Sequence, residues 1–204
     1  MTVLSTEALT TVADVKELLG ISAGSTSKDN LITRNINYAT KIILNYCGRT
    51  SFNDTAYTEY YDGIGGTELV LRNRPVITVT SVAYNTEGNS TGAYTTLDSD
   101  DYFVDTEAGI IKSQQQFVGN YHTWQVIYTA GYTTIPDDLA EACARMAAYM
   151  TEQGTAGTNV KKRQEGQRSV EYFESQGSSG SLIESLGLDD ILRPYSEHII
   201  SGLN

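Results

Sequence analysis

The chain is short of the side chains that hold metals or shuttle protons near neutral pH: its 204 residues include only two histidines and two cysteines. His122 and His198 stand alone, with no Asp, Glu or Cys at metal-ligand spacing. Cys47 and Cys143 lie far apart in stretches of helical character, which is neither a disulfide framework nor a zinc pattern, so both are expected to be small buried hydrophobes. No metal and no cofactor is expected. Basic residues are scarce as well, 14 Lys and Arg against 25 Asp and Glu, for a formal net charge of −11. Reading a DNA sequence requires cations that displace counterions from phosphate, so this deficit argues against that function. It suits a soluble surface, or one past which DNA slides without sticking. No apolar run reaches the ~18 residues of a membrane span, and Met1–Glu7 lacks the basic and apolar regions of a secretion signal. The expectation is a protein with no membrane association, made and kept in a cytoplasm until it is used.

What the chain does have is enough apolar material for a core, 40% hydrophobic residues, over a length that suits one or two compact domains. Charge is unevenly spread. Residues 1–49 carry five basic and four acidic side chains, 50–130 three and ten, and 131–204 six and eleven.

Hydrophobic period divides the chain further. A helix is expected over Val12–Leu19, capped by Thr11 and ended by Gly20. A second, over Lys28–Tyr46, places Ile32, Ile36, Ala39, Ile43 and Tyr46 on one stripe and stops at Gly48. From Tyr57 to Tyr128 short runs of Val, Ile, Thr and Tyr alternate with turn signals, giving strands at Tyr57–Tyr61, Glu68–Leu71, Val76–Tyr84, Tyr102–Asp105, Gly109–Lys112 and Trp124–Thr129. Asp62–Gly66 and Glu107–Gly109 look like hairpin turns. Ile135-Pro136-Asp137-Asp138 opens a third helix, with Pro in the first turn and acids at the positive end of the dipole. Leu139, Ala142, Cys143, Met146 and Met150 form its apolar face, and its alanines permit close packing on the second helix. Beyond it come a flexible, basic loop over 154–169, a short strand near Ser169–Phe173, a linker at Gly177–Ser181 and a last helical segment near Leu188–Ile200. The fold class expected is α+β: a small helical bundle, 1–55 with 131–204 and a C-terminal arm, carrying an inserted antiparallel β domain, 56–130.

Chemical motifs fail one after another. The glycines of Asp62–Gly66 are followed by Thr67-Glu68-Leu69-Val70, not by the Lys-Ser/Thr of a P-loop or by the helix of a dinucleotide fingerprint. Asp98, Asp100, Asp101, Asp105 and Glu107 lie between strands without the spacing of a calcium loop, and fit a solvated, charge-protected sheet edge. Asp137-Asp138 fits a helix start better than an acid–base pair, and no serine has a nucleophile-elbow context. Of fourteen tyrosines, Tyr60, Tyr61, Tyr84, Tyr94, Tyr102, Tyr121, Tyr128 and Tyr132 crowd the strand block, where tyrosine suits sheet packing first and an interface second.

The ordered series is similar to phage head–tail connector (adaptor) proteins. The pieces are Leu31–Thr50, the second helix with its ending Ile42–Thr50, then Glu59–Gly63, Leu69–Val76, Ile127–Tyr132 leading into Ile135–Leu139, Ser169–Phe173 and Leu192–Tyr195. The resemblance covers about residues 10–197. It implies a four-helix core with a β insertion, no catalytic residues, and a closed ring of about twelve subunits under the portal, through which double-stranded DNA passes non-specifically. It also implies contacts to the portal through the C-terminal segment, and to a stopper or tail-completion protein through loops, in a virion assembled in the host cytoplasm. Leu188, Ile191, Leu192, Tyr195 and Ile199 become candidate portal-docking residues, on an amphipathic segment that fits a helix-in-groove mode and equally fits a final helix closing the subunit's own bundle. Lys161, Lys162, Arg163 and Arg168 become a candidate neighbour-contact loop, ordered on assembly. Competing roles are a stopper, tail terminator or decoration protein, a glycan- or receptor-binding module built on the tyrosine-rich block, and, less compatible with the missing ligand clusters, a metal-dependent hydrolase.

Overall fold

The computed structural model describes residues 2–63, 65–85, 92–119, 121–156, 162–165, 168–171 and 179–196. Contacts divide the chain into two units, Met1–Thr50 with Ile135–Asn204, and Ser51–Thr134. The architecture is mixed α+β, with helices and one two-stranded antiparallel pair in the first unit and two larger antiparallel sheets in the second.

In the first unit, α1 (Val12–Leu18) begins with a reciprocal capping box, the Thr11 hydroxyl accepting from the Asp14 N–H and the Asp14 carboxylate from the Thr11 N–H. Lys16, on the buried side of α1, places its ammonium 2.6 Å from Asp29 Oδ1, so the pair ties α1 to the start of α2 (Asp29–Cys47). Ile32, Ile36, Ala39 and Ile43 on α2 are all fully buried, and Gly48 ends the helix at φ 69°. α3 (Asp137–Ala156) packs on α2 through Leu139, Ala142, Cys143 and Met146. Two polar contacts sit in that seam: Thr40 Oγ1 lies 3.6 Å from Cys143 Sγ, and Asn35 donates to the Thr151 hydroxyl at 2.9 Å. Burial pushes both thiols up to about 11, which keeps them protonated and inert.

The second unit holds two sheets. One runs in the order β1 (Thr55–Tyr61), β7 (Trp124–Ala130), β3 (Val76–Tyr84), β4 (Thr95–Thr96). The other runs β2 (Glu68–Val70), β6 (Ile110–Ser113), β5 (Tyr102–Asp105). The alternation in β7 turns Trp124, Val126, Tyr128 and Ala130 inward. Together with Leu69, Leu71, Val82, Ile111 and Phe117 they make a single core. Each large apolar side chain so buried is worth about 1.5–3 kcal/mol.

Gly131 closes the unit's base. Its φ is 118°, and an added Cβ would stand 2.2 Å from the Asn53 carbonyl oxygen, so only glycine lets the entering and leaving strands approach this closely. Phe52 is buried and Asn53 bridges to Tyr132, so the unit's borders fall a few residues outside 56 and 130.

Three expectations need correction. Asp62–Gly66 is not a hairpin turn: β1 pairs with β7 and β2 with β6, so this stretch carries the chain from one sheet to the other. The second turn does join β5 to β6, with Gly109 at φ 66°. The basic loop contains a strand of its own, β8 (Lys162–Glu165), paired antiparallel with β9 (Arg168–Glu171). The C-terminal region is not one helix from Leu188. α4 (Ser179–Ser185) starts inside the Gly/Ser run, Gly187 at φ 65° turns the chain, and α5 (Asp189–Leu192) runs into a 3-10 turn at Arg193–Tyr195, where Pro194 sits.

Candidate functional site

The C-terminal segment is bound to its own helical unit at several points. Ile183, Leu188 and Leu192 are completely buried, Ile191 and Tyr195 half-buried, and Ile199 lies outside the described residues. The Tyr46 hydroxyl donates to the Asp189 carboxylate, the Cys47 thiol lies 3.8 Å from the Leu192 carbonyl, and Arg49 Nε donates to the Tyr195 carbonyl at 2.8 Å. From the other side the Tyr195 hydroxyl donates to Asp138 Oδ1 at 2.6 Å, the same oxygen that accepts the Leu139 N–H at the start of α3. The Tyr46 hydrogen bond, with the Arg193 guanidinium, holds the Asp189 carboxyl below its ordinary range, and the same bond raises the Tyr46 phenol. Two of the five candidate docking residues, Leu188 and Leu192, are therefore spent on the subunit's own core. The positions still open on this segment are Glu184, Ser185, Gly187, Asp190, Arg193 and Pro194.

Of the candidate neighbour-contact residues, Lys162 and Arg163 belong to β8 and Arg168 opens β9, in a hairpin whose register sets Lys162 opposite Glu171 and Glu165 opposite Arg168. Lys161 lies outside the described residues. The structure does not bring this group together with the docking candidates into a single constellation among the described residues.

The second unit contains a polar cluster that sequence reasoning missed. Glu59 on β1 accepts from the Tyr128 hydroxyl at 2.7 Å, from Asn73 Nδ2 at 3.0 Å, and from the Tyr61 hydroxyl. The two phenol oxygens in turn accept backbone N–H groups, Tyr61 from Arg72 and Tyr128 from Asn73, each at 3.2 Å. The Arg72 guanidinium lies 4.8 Å from the Tyr61 ring centre. Burial, reinforced by the carboxylate, pushes the Tyr128 phenol up to about 12 and the Tyr61 phenol further in the same direction. With its phenols protonated and hydrogen-bonded, the cluster pins the Arg72–Asn73 loop against the sheet. The only local hint was Glu at the middle of a strand otherwise made of Thr, Ala and Tyr.

At one end of the larger sheet, His122 adopts φ 52°, a left-handed conformation costly for a residue with a side chain. Its N–H donates to Asp62 at 2.8 Å and its carbonyl accepts from the Tyr94 hydroxyl at 2.6 Å, which hold it there. Neighbouring Tyr121 is 81% exposed. Among the described residues no group of three or more His, Cys, Asp and Glu side chains is placed to hold a metal ion, and no helix is long and apolar enough to cross a membrane.

The family model described as head completion protein matches residues 8–171, a stretch that runs through both units. No curated protein matches the chain at a significant level. Among solved structures, a chain from the neck of an empty GTA particle computed with C6 symmetry shares 19% identity at a TM-score of 0.55. One from the virion of a native gene transfer agent (GTA) particle shares 18% at 0.56, and one from the neck of a native GTA particle computed with C12 symmetry shares 18% at 0.52. In all three the alignment covers 91% of this chain and 92% of the other. At these identities the likeness is one of fold.

Proposed function

We propose that this chain, which belongs to the head completion protein family, is a structural subunit of the head–tail connector of a tailed bacteriophage. It is a component of the virion and not an enzyme. The observation that carries this reading is the family match over residues 8–171, which takes in α1, α2 and α3 as well as the β sheets. Support comes from the fold shared with chains of particle necks computed with C6 and C12 symmetry. In this reading the subunits form a closed ring of about twelve under the portal, since head-to-tail contacts between identical chains generate rings when the rotation closes. Assembly takes place in the host cytoplasm.

The helical base, 1–55 with 131–204, holds the portal, and the inserted module, 56–130, extends toward the neighbouring connector or stopper protein. The C-terminal segment meets the portal with the half-exposed sides of Ile191 and Tyr195 and with Ile199, while Leu188 and Leu192 stay in the subunit core. Lys161, Lys162, Arg163 and Arg168 contact a neighbour. Double-stranded DNA passes through the lumen without specific contacts, for which a net charge of −11 is suited. The test is to mix the full chain with the portal from the same source and image the complex. A closed ring of this chain on the tail-facing side of the portal is expected; a chain that binds no portal and forms no ring overturns the reading.

A further inference from the structure

The outward stripe of α2 is basic and aromatic in a protein that is acidic as a whole. Asn30, Arg34, Tyr38, Lys41 and Asn45 follow one another at four-, four-, three- and four-residue steps, all exposed, along about 22 Å of helix. The stripe holds no carboxylate. The one acid of α2, Asp29, is committed to Lys16 at 2.6 Å. Arg34 and Lys41 have no ion-pair partner among the described residues, and between them Tyr38 is 59% exposed. The opposite side of the helix is consumed by α3. An exposed tyrosine flanked by two unpaired cations has the makeup of an interface centre, where aromatic residues and Arg are enriched.

The complement is present on the same chain. Asp98, Asp100 and Asp101 surround the 3-10 turn at Ser99–Asp101, all exposed and without ion-pair partners among the described residues. They lead directly into β5, the outer strand of its sheet, where Phe103 is 65% exposed. One patch is thus aromatic and cationic, the other aromatic and anionic, and they lie on different units of the chain. We infer that the α2 stripe of one copy docks on the Asp98–Phe103 corner of a second copy. The contact joins unlike patches, so it is a heterologous one, the type that closes a ring or grows a filament. Tyr38 and Phe103 supply its apolar centre, and Arg34 and Lys41 facing the three aspartates set its register. This rests on the ring reading above and names the contact that would build the ring.

Charge reversal on the full chain tests it, with assembly followed by sedimentation across a concentration series, alone and on portal. All substituted positions are exposed, so native Trp124 emission is expected in every variant; the variants with D98K, which lose the Asp98 carboxylate that accepts the Asp100 N–H, should melt slightly lower and the others unchanged. R34E/K41E, and separately D98K/D100K/D101K, should each raise the assembly midpoint by about tenfold or more, because like charges then face each other. Combining the five substitutions in one chain makes the patches complementary again and should bring the midpoint back to within about threefold of the starting protein. Rings unaffected by either reversal, or a combined variant as defective as its parents, overturn this contact while leaving the ring standing. R34E/K41E rings that assemble normally but lose salt-sensitive retention of duplex DNA reassign the stripe to the lumen and overturn it too. A starting protein that stays monomeric alone and on portal overturns the ring reading and this contact together.

Discussion

Glu59 is the residue whose loss should be felt most widely in the β unit. Its carboxylate is the shared acceptor for the phenol of Tyr61 on its own strand, the phenol of Tyr128 on β7 and the amide of Asn73 in the loop after β2. In Glu59→Ala the Tyr128 and Tyr61 hydroxyls keep the backbone N–H groups they accept but lose the acceptor for their own protons. Tyr128 is fully buried and Tyr61 is 8% exposed, so water cannot take over. A buried donor left unsatisfied costs about 1–3 kcal/mol. Asn73 is only half-buried and recovers its bond from solvent. Two phenols therefore set the expected loss at about 2–6 kcal/mol. Both phenols donate to the same oxygen, Oε2, so Glu59→Gln with its amide oxygen there still accepts both, loses only the acceptor for Asn73 Nδ2, and should cost less than Glu59→Ala. Trp124 is the chain's only tryptophan and sits in the same core, its indole N–H donating to the Val118 carbonyl at 3.0 Å and its ring 4.8 Å from that of Phe117, so its emission reports on this unit. In urea titrations followed at Trp124, the unfolding midpoint of Glu59→Ala should drop by more than about 1 M, with Glu59→Gln between it and the unsubstituted chain. A Glu59→Ala midpoint unchanged within error would refute the reasoning and make the cluster a passive surface arrangement.

The same cluster predicts alkaline sensitivity. The folded-state pKa of Tyr128 is raised, so its contribution is complete below about pH 10, the ordinary tyrosine value, and is lost as pH climbs through about 12. Tyr128→Phe should be less stable at neutral pH and should lose less between pH 10 and 12, measured by urea titration at each pH. Gly131→Ala must place a methyl 2.2 Å from the Asn53 oxygen at a φ of 118°, and should cost about 2 kcal/mol or more or leave the unit unfolded, read by circular dichroism and Trp124 emission. Leu188→Ala removes a fully buried side chain from the helical unit and should lower its stability by about 2–5 kcal/mol; a change under about 0.5 kcal/mol would mean that the C-terminal segment does not belong to the subunit core.

The helices were readable because their signals are local. Thr11 with Asp14, Gly48 after an apolar stripe, and Pro136 followed by two acids each act within one turn of the chain, and each sits where that chemistry puts it. Six of the strand positions in the second unit were readable for the same reason, Trp124–Thr129 of β7 among them. Strand partners were not. The turn residues after β1 describe a bend and say nothing of which strand comes next to it, and the actual partner, β7, begins more than sixty residues later. β4 is two threonines long and carries no periodic signal at all. The Glu59 cluster is invisible locally because its members arrive from β1, β7 and the loop after β2. The C-terminal segment shows a different limit. Its apolar pattern told that Leu188 and Leu192 must be covered, while what covers them depends on Tyr46, Cys47 and Arg49, about 140 residues away. Ser179 starts a helix in a run that resembles a linker because Leu182 and Ile183 follow, and Ile183 has a core to enter.

The most direct measurement of the central claim is to make particles in the native host with this gene product removed. A head–tail connector subunit predicts filled heads that carry portal, lack this chain and fail to join tails, with joining restored when the purified chain is added back. Complete, tailed and infectious particles assembled without the chain would contradict the account.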